Sequence, residues 1–301
     1  QHFFYIGGND SMDTIKQLSE YAKAKNITDI TFMGVPKTID NDLAVTDHTP
    51  GYGSAAKYIA STMKEIIRDA LVQPIKIVNI IEIMGRNAGW LTAAAALAKG
   101  DDCEGADLIY LPETVFDINK FVAKVQEIQK TKKQIVVAVS EGVKTADGKY
   151  VCESASSNML VDSFGHKQLS GTATALANVI SNEIGCKTRA IEFSTIQRCA
   201  SHIASLTDVN EAFIVGGIAV KAAFDGETGK VGIFQRLSNK PYLMGTSIYD
   251  VIANVEKTVP QEWIINDGTG VSQEALDYMR PLIQGEIYPY MVDGLPRHIK
   301  L

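Results

Sequence analysis

The feature that most constrains this chain is the run 76–84, in which six of nine residues are apolar and do not alternate with polar ones. A strand apolar on both faces must be covered on both, as in a parallel sheet sandwiched between helices. The surrounding sequence supplies such helices. Helical spacing places Met12, Ile15, Leu18 and Ala22 on one face of 11–25, with Asp10 or Ser11 as its cap. Residues 30–35 read as a strand, and 53–71 as a helix carrying Ala56, Ile59, Met63 and Ile67 on one face. Beyond the apolar run come an Ala-rich helix over 87–99, a strand near Leu108, a helix over 117–130 and a strand over 134–140. A helix over 171–184, a strand over 188–196, a helix over 208–224 and a short strand over 229–234 continue the order. This alternation predicts a layered α/β fold with mostly parallel sheets. The opening strand, 2–6, also reads as buried. A buried strand is unusual at a terminus, so further residues are expected upstream. The stretch 144–157, rich in Gly, Ser and Asp, is the most loop-like segment.

Composition removes several function classes. A formal charge of −6 argues against a nucleic-acid-binding surface. No run approaches the ~18–20 apolar residues of a membrane span, so no membrane partner is expected and the cytoplasm is the default location. Cys103, Cys152, Cys186 and Cys199 are scattered, without the spacing of a zinc site or a disulfide framework, and are expected as reduced, mostly buried thiols.

In α/β folds ligands sit at the carboxyl ends of the strands, which selects the loops to read. Gly7-Gly8-Asn9-Asp10-Ser11 is a glycine pair at a strand-to-helix junction, where backbone can approach a ligand and a helix start attracts anions. Asp10 opposes an anion there, and a simple tight turn explains the glycines equally. Pro36-Lys37-Thr38-Ile39-Asp40-Asn41-Asp42 sets two carboxylates about an Asn, after a Lys. Such a pair can divide proton acceptance from Mg²⁺ binding, and the Lys can meet a transferring phosphoryl group. A solvated charged turn is the competing account. Met84-Gly85-Arg86-Asn87 puts Arg86 at the start of the next expected helix, where the macrodipole disfavours a cation unless an anion lies near. Glu141, in Ser140-Glu141-Gly142, ends an apolar strand and can accept from sugar hydroxyls. Arg198 and His202 are four residues apart; on one helix they would share a face and clamp a phosphate. Each taken singly is explained by a surface ion pair or a satisfied core group. Their occurrence at successive strand ends argues for a site.

GGNDS, PKTIDND, MGRNAGW, SEG and QRxxxH, in this order and spacing, resemble the phosphofructokinase family from Tyr5 to about Asp208. The resemblance implies two Rossmann-like domains facing across a cleft: 1–52 with 206–275 for the phosphoryl donor, 53–205 for the sugar phosphate, and 276–301 as a C-terminal segment. It implies Mg²⁺-dependent phosphorylation of fructose 6-phosphate, with Asp40 as general base, Asp42 beside it and Lys37 and Arg86 completing the catalytic set. Thr38, Met84, Gly85, Arg86, Glu141, Arg198 and His202 correspond to the sugar-phosphate site. Gly8, Asn9, Asp10, Ser11 and Lys37 correspond to the donor site, and Asn9 and Asp42 to the metal site. ATP-using relatives carry Gly where Asp10 and Lys37 stand, so pyrophosphate is the expected donor rather than ATP. A homodimer or homotetramer follows from the same likeness.

The chain departs from the family pattern in three ways. Asn9 replaces the usual acid, which weakens the metal role of that loop; the Arg normally found before MGR is missing, Lys76 being the nearest base; and the family's first glycine-rich unit is absent upstream. An ATP-dependent enzyme and a non-catalytic sugar-phosphate-binding subunit stay open as alternatives. A dinucleotide-binding oxidoreductase fits the alternation but lacks GxGxxG.

Overall fold

The computed structural model describes residues 1–154 and 169–300. In chain order its main elements are β1 (His2–Gly7), α1 (Asn9–Ala24), β2 (Thr31–Pro36), α2 (Tyr52–Leu71), β3 (Ile77–Ile83), α3 (Trp90–Ala93), β4 (Leu108–Tyr110) and α4 (Ile118–Ile128). Then follow β5 (Gln134–Ser140), α5 (Thr172–Ile184), β6 (Lys187–Glu192), α6 (Ile196–Cys199), α7 (Leu206–Phe224), β7 (Lys230–Asn239), β8 (Tyr242–Asp250), β9 (Ile264–Ile265), β10 (Gly270–Val271) and α8 (Gln273–Met279). The chain divides into two compact units: Gln1–Lys57, Ala200–Lys257 and Asp277–Leu301 form one, and Tyr58–Cys199 with Thr258–Leu276 form the other.

The first unit is built on a sheet of order β1-β2-β7-β8, parallel except for the antiparallel β7–β8 pair. Met12, Ile15 and Ala22 of α1 pack with Phe32, Val231 and Ile233 on one face, while Ala222 and Ala223 of α7 meet Met33 on the other. The expected burial of the opening strand is not found: among the described residues β1 pairs with β2, and Ile6 is 63 % exposed.

The second unit carries a fully parallel sheet of order β4-β5-β3-β6. β3 is buried along its whole length at the centre, which is why 76–84 could afford no polar alternation. Its Val78 and Ile80 pack with Val137, Phe121, Val125 and Leu176 of β5, α4 and α5. Asp117 caps α4, accepting from the Lys120 N–H at 3.0 Å. The segment Thr258–Leu276 groups here rather than with the first unit, because Thr269 accepts from the Ile109 N–H beside β4.

Local readings are corrected in four further places. No helix spans 87–99: α3 starts only at Trp90 and gives way to a 3-10 turn over Ala94–Ala98. β6 ends at Glu192, short of 196. Of the loop-like stretch 144–157, Val151–Ser154 forms a 3-10 turn and 155–157 lie outside the described residues. Among the thiols only Cys152 is buried, while Cys199 is exposed.

Candidate active site

In the first unit, the parallel pairing of β1 with β2 brings the loops that follow them to the same sheet edge. The Lys37 N–H donates to the Gly7 carbonyl at 3.0 Å, and a Cβ on Gly8 would stand 3.6 Å from that of Thr38. Gly7 is obligatory: any Cβ there would lie 2.0 Å from Ser11 Oγ. α1 is capped by neither Asp10 nor Ser11; Gly8 occupies the cap position without a side-chain bond, and Asp10 lies in the first turn. Both amide atoms of Asn9 are buried and have no partner among the described residues. Buried polar atoms in native proteins are ordinarily paired, so these two are open to a further partner. Asp10 and Lys37 are exposed.

The loop after β2 is held at both ends. Thr38 donates its N–H to the Pro50 carbonyl (3.2 Å), while its carbonyl accepts from Thr49 Oγ1 (2.7 Å). Thr38 Oγ1 donates to Asp40 Oδ2 at 3.2 Å and accepts from the Asp40 N–H at 3.1 Å. Asn41 between the carboxylates adopts φ +55° and is fully buried. The Asp42 carbonyl accepts from the Lys257 N–H at 2.7 Å. Burial, reinforced by the neighbouring Asp40 charge, pushes the Asp42 carboxyl up to about 6. Burial likewise pulls the Lys257 ammonium down to about 8, although its Nζ donates to the Thr46 and Asp47 carbonyls (3.1 and 2.6 Å).

Behind the loop lies a buried ionic cluster. His48 is held between Asp47 (2.9 Å) and Glu211 (2.7 Å) and stacks on Phe234 at 4.6 Å. Burial opposes its charge, but the two carboxylates outweigh it and hold the imidazole above its ordinary range. Asp47, which burial would raise, is kept low by His48 and by Arg236, whose Nη2 approaches to 2.8 Å. None of His48, Glu211, Arg236, Lys257 or Tyr278 carries a local motif. The TDH run at 46–48 was the available hint, and its partners come from distant segments.

In the second unit, Met84, Gly85, Arg86 and Glu141 come together where β3 and β5 end side by side. The Gly85 carbonyl accepts from Ser140 Oγ, the Gly85 N–H donates to Glu141 Oε1 (3.4 Å), and the Met84 N–H donates to Gln197 Oε1 (3.3 Å). A Cβ on Gly142 would lie 2.0 Å from the Arg86 carbonyl, so only glycine lets the two loops touch. Arg86 does not open a helix: α3 begins four residues later, and the macrodipole argument does not apply to it. Its Nε is nevertheless buried and unpaired among the described residues, the state expected of a group awaiting an anion. Arg198 and His202 do not share a helix. α6 ends at Cys199, and His202 belongs to the separate 3-10 turn Ser201–Ile203; both residues are exposed. Among the described residues no group of three or more His, Cys, Asp or Glu could hold a metal by itself, and no helix is long and apolar enough to cross a membrane.

Residues 1–199 match the family model described as Phosphofructokinase. A pyrophosphate–fructose 6-phosphate 1-phosphotransferase of Halomonas elongata is 39 % identical over the whole chain and 72 % of its own length. That of Xanthomonas campestris is 42 % identical over 99 % of the chain and 72 % of its own length. The crystal structure of a pyrophosphate-dependent phosphofructokinase from Nitrosospira multiformis superposes with TM-score 0.87 and 38 % identity, covering 99 % of this chain and 71 % of that one. With matching motifs, sheets and family model, the chain belongs to the phosphofructokinase family.

Proposed function

We propose that this protein transfers a phosphoryl group from pyrophosphate to the 1-hydroxyl of fructose 6-phosphate, giving fructose 1,6-bisphosphate in glycolysis. What carries the reading is similarity along the whole chain to relatives named for that reaction, at 39–42 % identity. Phosphoryl transfer asks a protein chiefly to position reactants and to neutralise charge, and the two loop sets supply the groups for it.

In this reading Asp40 takes the proton of the attacking hydroxyl. Thr38, bonded to Asp40 through both its Oγ1 contacts, fixes the carboxylate's direction. Lys37 and the N–H groups opening α1 meet the developing negative charge. The residues present fit Mg²⁺: the unpaired Asn9 oxygen and the Asp42 carboxyl are the oxygen ligands such an ion takes when substrate phosphates and water complete its shell. When bound, Mg²⁺ would screen the charge of the phosphates. Met84, Gly85, Arg86, Glu141, Arg198 and His202 are assigned to the sugar phosphate. Asp10 would crowd and repel a nucleotide's α-phosphate, whereas Lys37 gives charge to a bare pyrophosphate, which supports the donor choice. The donor role goes to the first unit and the sugar-phosphate role to the second, which takes in Thr258–Leu276. A cytoplasmic homodimer or homotetramer completes the reading.

The test is a coupled assay of the purified protein with fructose 6-phosphate and Mg²⁺, offering pyrophosphate and ATP in separate reactions. Turnover with pyrophosphate and none with ATP is expected. Turnover with ATP alone overturns the roles given to Asp10 and Lys37.

A further inference from the structure

The carboxylates of the 38–42 loop flank Asn41, and every polar atom of that side chain is engaged. Its Oδ1 accepts from the Thr49 N–H at 3.1 Å, and its Nδ2 donates to Tyr278 Oη at 2.9 Å. The same phenol donates its proton to the Asp47 carbonyl at 2.6 Å. One oxygen from a residue 237 positions away thus ties the middle of the loop to the chain six residues later. We infer that Tyr278 is a positioning residue for the phosphoryl-transfer loop, acting through Asn41 to hold the Asp40 and Asp42 carboxylates in register. This rests on the assignment of Asp40 as general base.

Three observations carry the inference. First, Asn41 is in the left-handed region, which Asn adopts more readily than most non-glycine residues but which still needs a fixed surrounding to hold its side chain in one direction. The amide's two bonds supply that surrounding. Second, the phenol is itself immobile: Tyr278 is 8 % exposed, the Arg236 guanidinium lies over its ring at 4.5 Å, and Arg236 Nη1 donates to its carbonyl at 3.0 Å. Third, Arg236 cannot follow a moving ring. Its Nε and Nη2 grip both oxygens of Asp47 at 2.8–3.1 Å, and Asp47 continues through His48 to Glu211. His48 and Arg236 thus each bond the Asp47 carboxylate, and His48 links it on to Glu211. The loop is therefore referenced to a rigid body rather than to solvent. A base misplaced by about 1 Å can lose 10²-fold in rate, so the last hydrogen bond in this chain acts on turnover.

Tyr278→Phe removes the oxygen and keeps the ring under Arg236. With pyrophosphate as donor, kcat is expected to fall about 10-fold while the KM for fructose 6-phosphate stays within about 2-fold. Tyr242→Phe is the control: it deletes a like hydroxyl beside the same Arg236, one that donates to Glu211 at 2.7 Å rather than reaching Asn41. It is expected to change stability to the same degree and to leave kcat within about 2-fold. Equal kcat losses in the two variants, or a Tyr278→Phe enzyme with parental kcat, overturn the inference. Asn41→Gly gives an independent route, since it tolerates the left-handed backbone but deletes the phenol's partner; parental kcat there also overturns it. Asp40→Ser, measured alongside, separates the two claims. A crippled Asp40→Ser beside a normal Tyr278→Phe removes the positioning role and leaves the base standing. Full turnover in both removes the base, and the positioning role with it.

Discussion

In the first unit, the loop bearing the paired carboxylates is held by side chains that arrive from 163 to 237 residues away, through Glu211, Arg236 and Tyr278. In the second, the loops 84–86 and 140–142 hold each other: Ser140 Oγ and Glu141 Oε1 bond the Gly85 peptide, and Gly142 lets the Arg86 carbonyl approach. The first arrangement uses buried charge, which is costly to desolvate but strongly directional once paired. The second uses side chains of one strand end bonded to the peptide of the next. The loop assigned to take the proton is thus braced by buried ions, and the loops assigned to hold a substrate phosphate are braced by side-chain bonds to the Gly85 peptide.

The contrast can be broken at its centre. Asp40→Ser is expected to cut turnover by about 10²–10⁴ while leaving the sugar-phosphate KM near its parental value. Steady-state kinetics with both substrates varied decide it, and a rise in KM without loss of kcat would make Asp40 a binding group, like those given to the second unit.

The brace is the next target. His48→Ala leaves Asp47 and Glu211 buried without the cation between them, a change expected to cost about 3–5 kcal/mol. Because the folded protein holds this imidazole above its ordinary 6.5, the stabilisation is complete below that pH and is lost as pH rises through the folded value. Denaturant unfolding from pH 6 upward should therefore show a steeper decline in the parent than in His48→Ala. A variant as stable as the parent at pH 6 would mean that the ionic cluster braces nothing.

The smallest effect sharpens the contrast from the other side. The second unit also contains a buried carboxyl, Glu82 of β3, whose Oε2 accepts from the Ala173 N–H at 2.8 Å at the start of α5. Burial raises it from 4.5 to about 7. The folded state keeps this proton between those values while the unfolded state releases it, so stability falls as pH rises across that window. Glu82→Gln should remove its share of that fall, worth ~1–3 kcal/mol, without shifting the pH profile of kcat. An unaltered slope in unfolding free energy between pH 5 and pH 8 would refute the assignment.

How much was readable in advance follows from distance along the chain. The glycine turn at Gly7-Gly8, the carboxylates of 40–42 and the Met84-Gly85-Arg86 turn each lie within a few residues and end an apolar run, so pattern and chemistry pointed to them together. Arg86 shows where this fails. Its neighbours in sequence read as a helix because Ala is the best helix former, yet 84–89 turns through Gly85 at φ +146° and leaves the Arg in a loop. Arg198 and His202 fail for a similar reason, since spacing of four means one face only if the helix continues, and it stops at Cys199. β8 went unread because it is an antiparallel return after β7, outside the strand–helix alternation that organised the rest.

The order of apolar runs and amphipathic helices was enough to dictate layered α/β structure, because burying both faces of a strand leaves few other solutions. The motif residues were enough to indicate phosphoryl-transfer chemistry, because acid, base and glycine requirements there are local. Tertiary packing alone decided that Asn41 would be pinned in a left-handed conformation, and that His48, Glu211, Arg236 and Tyr278 would stand behind the loop. Those partners meet across 160 to 240 residues of chain, a separation over which neither periodicity nor spacing carries information about contact.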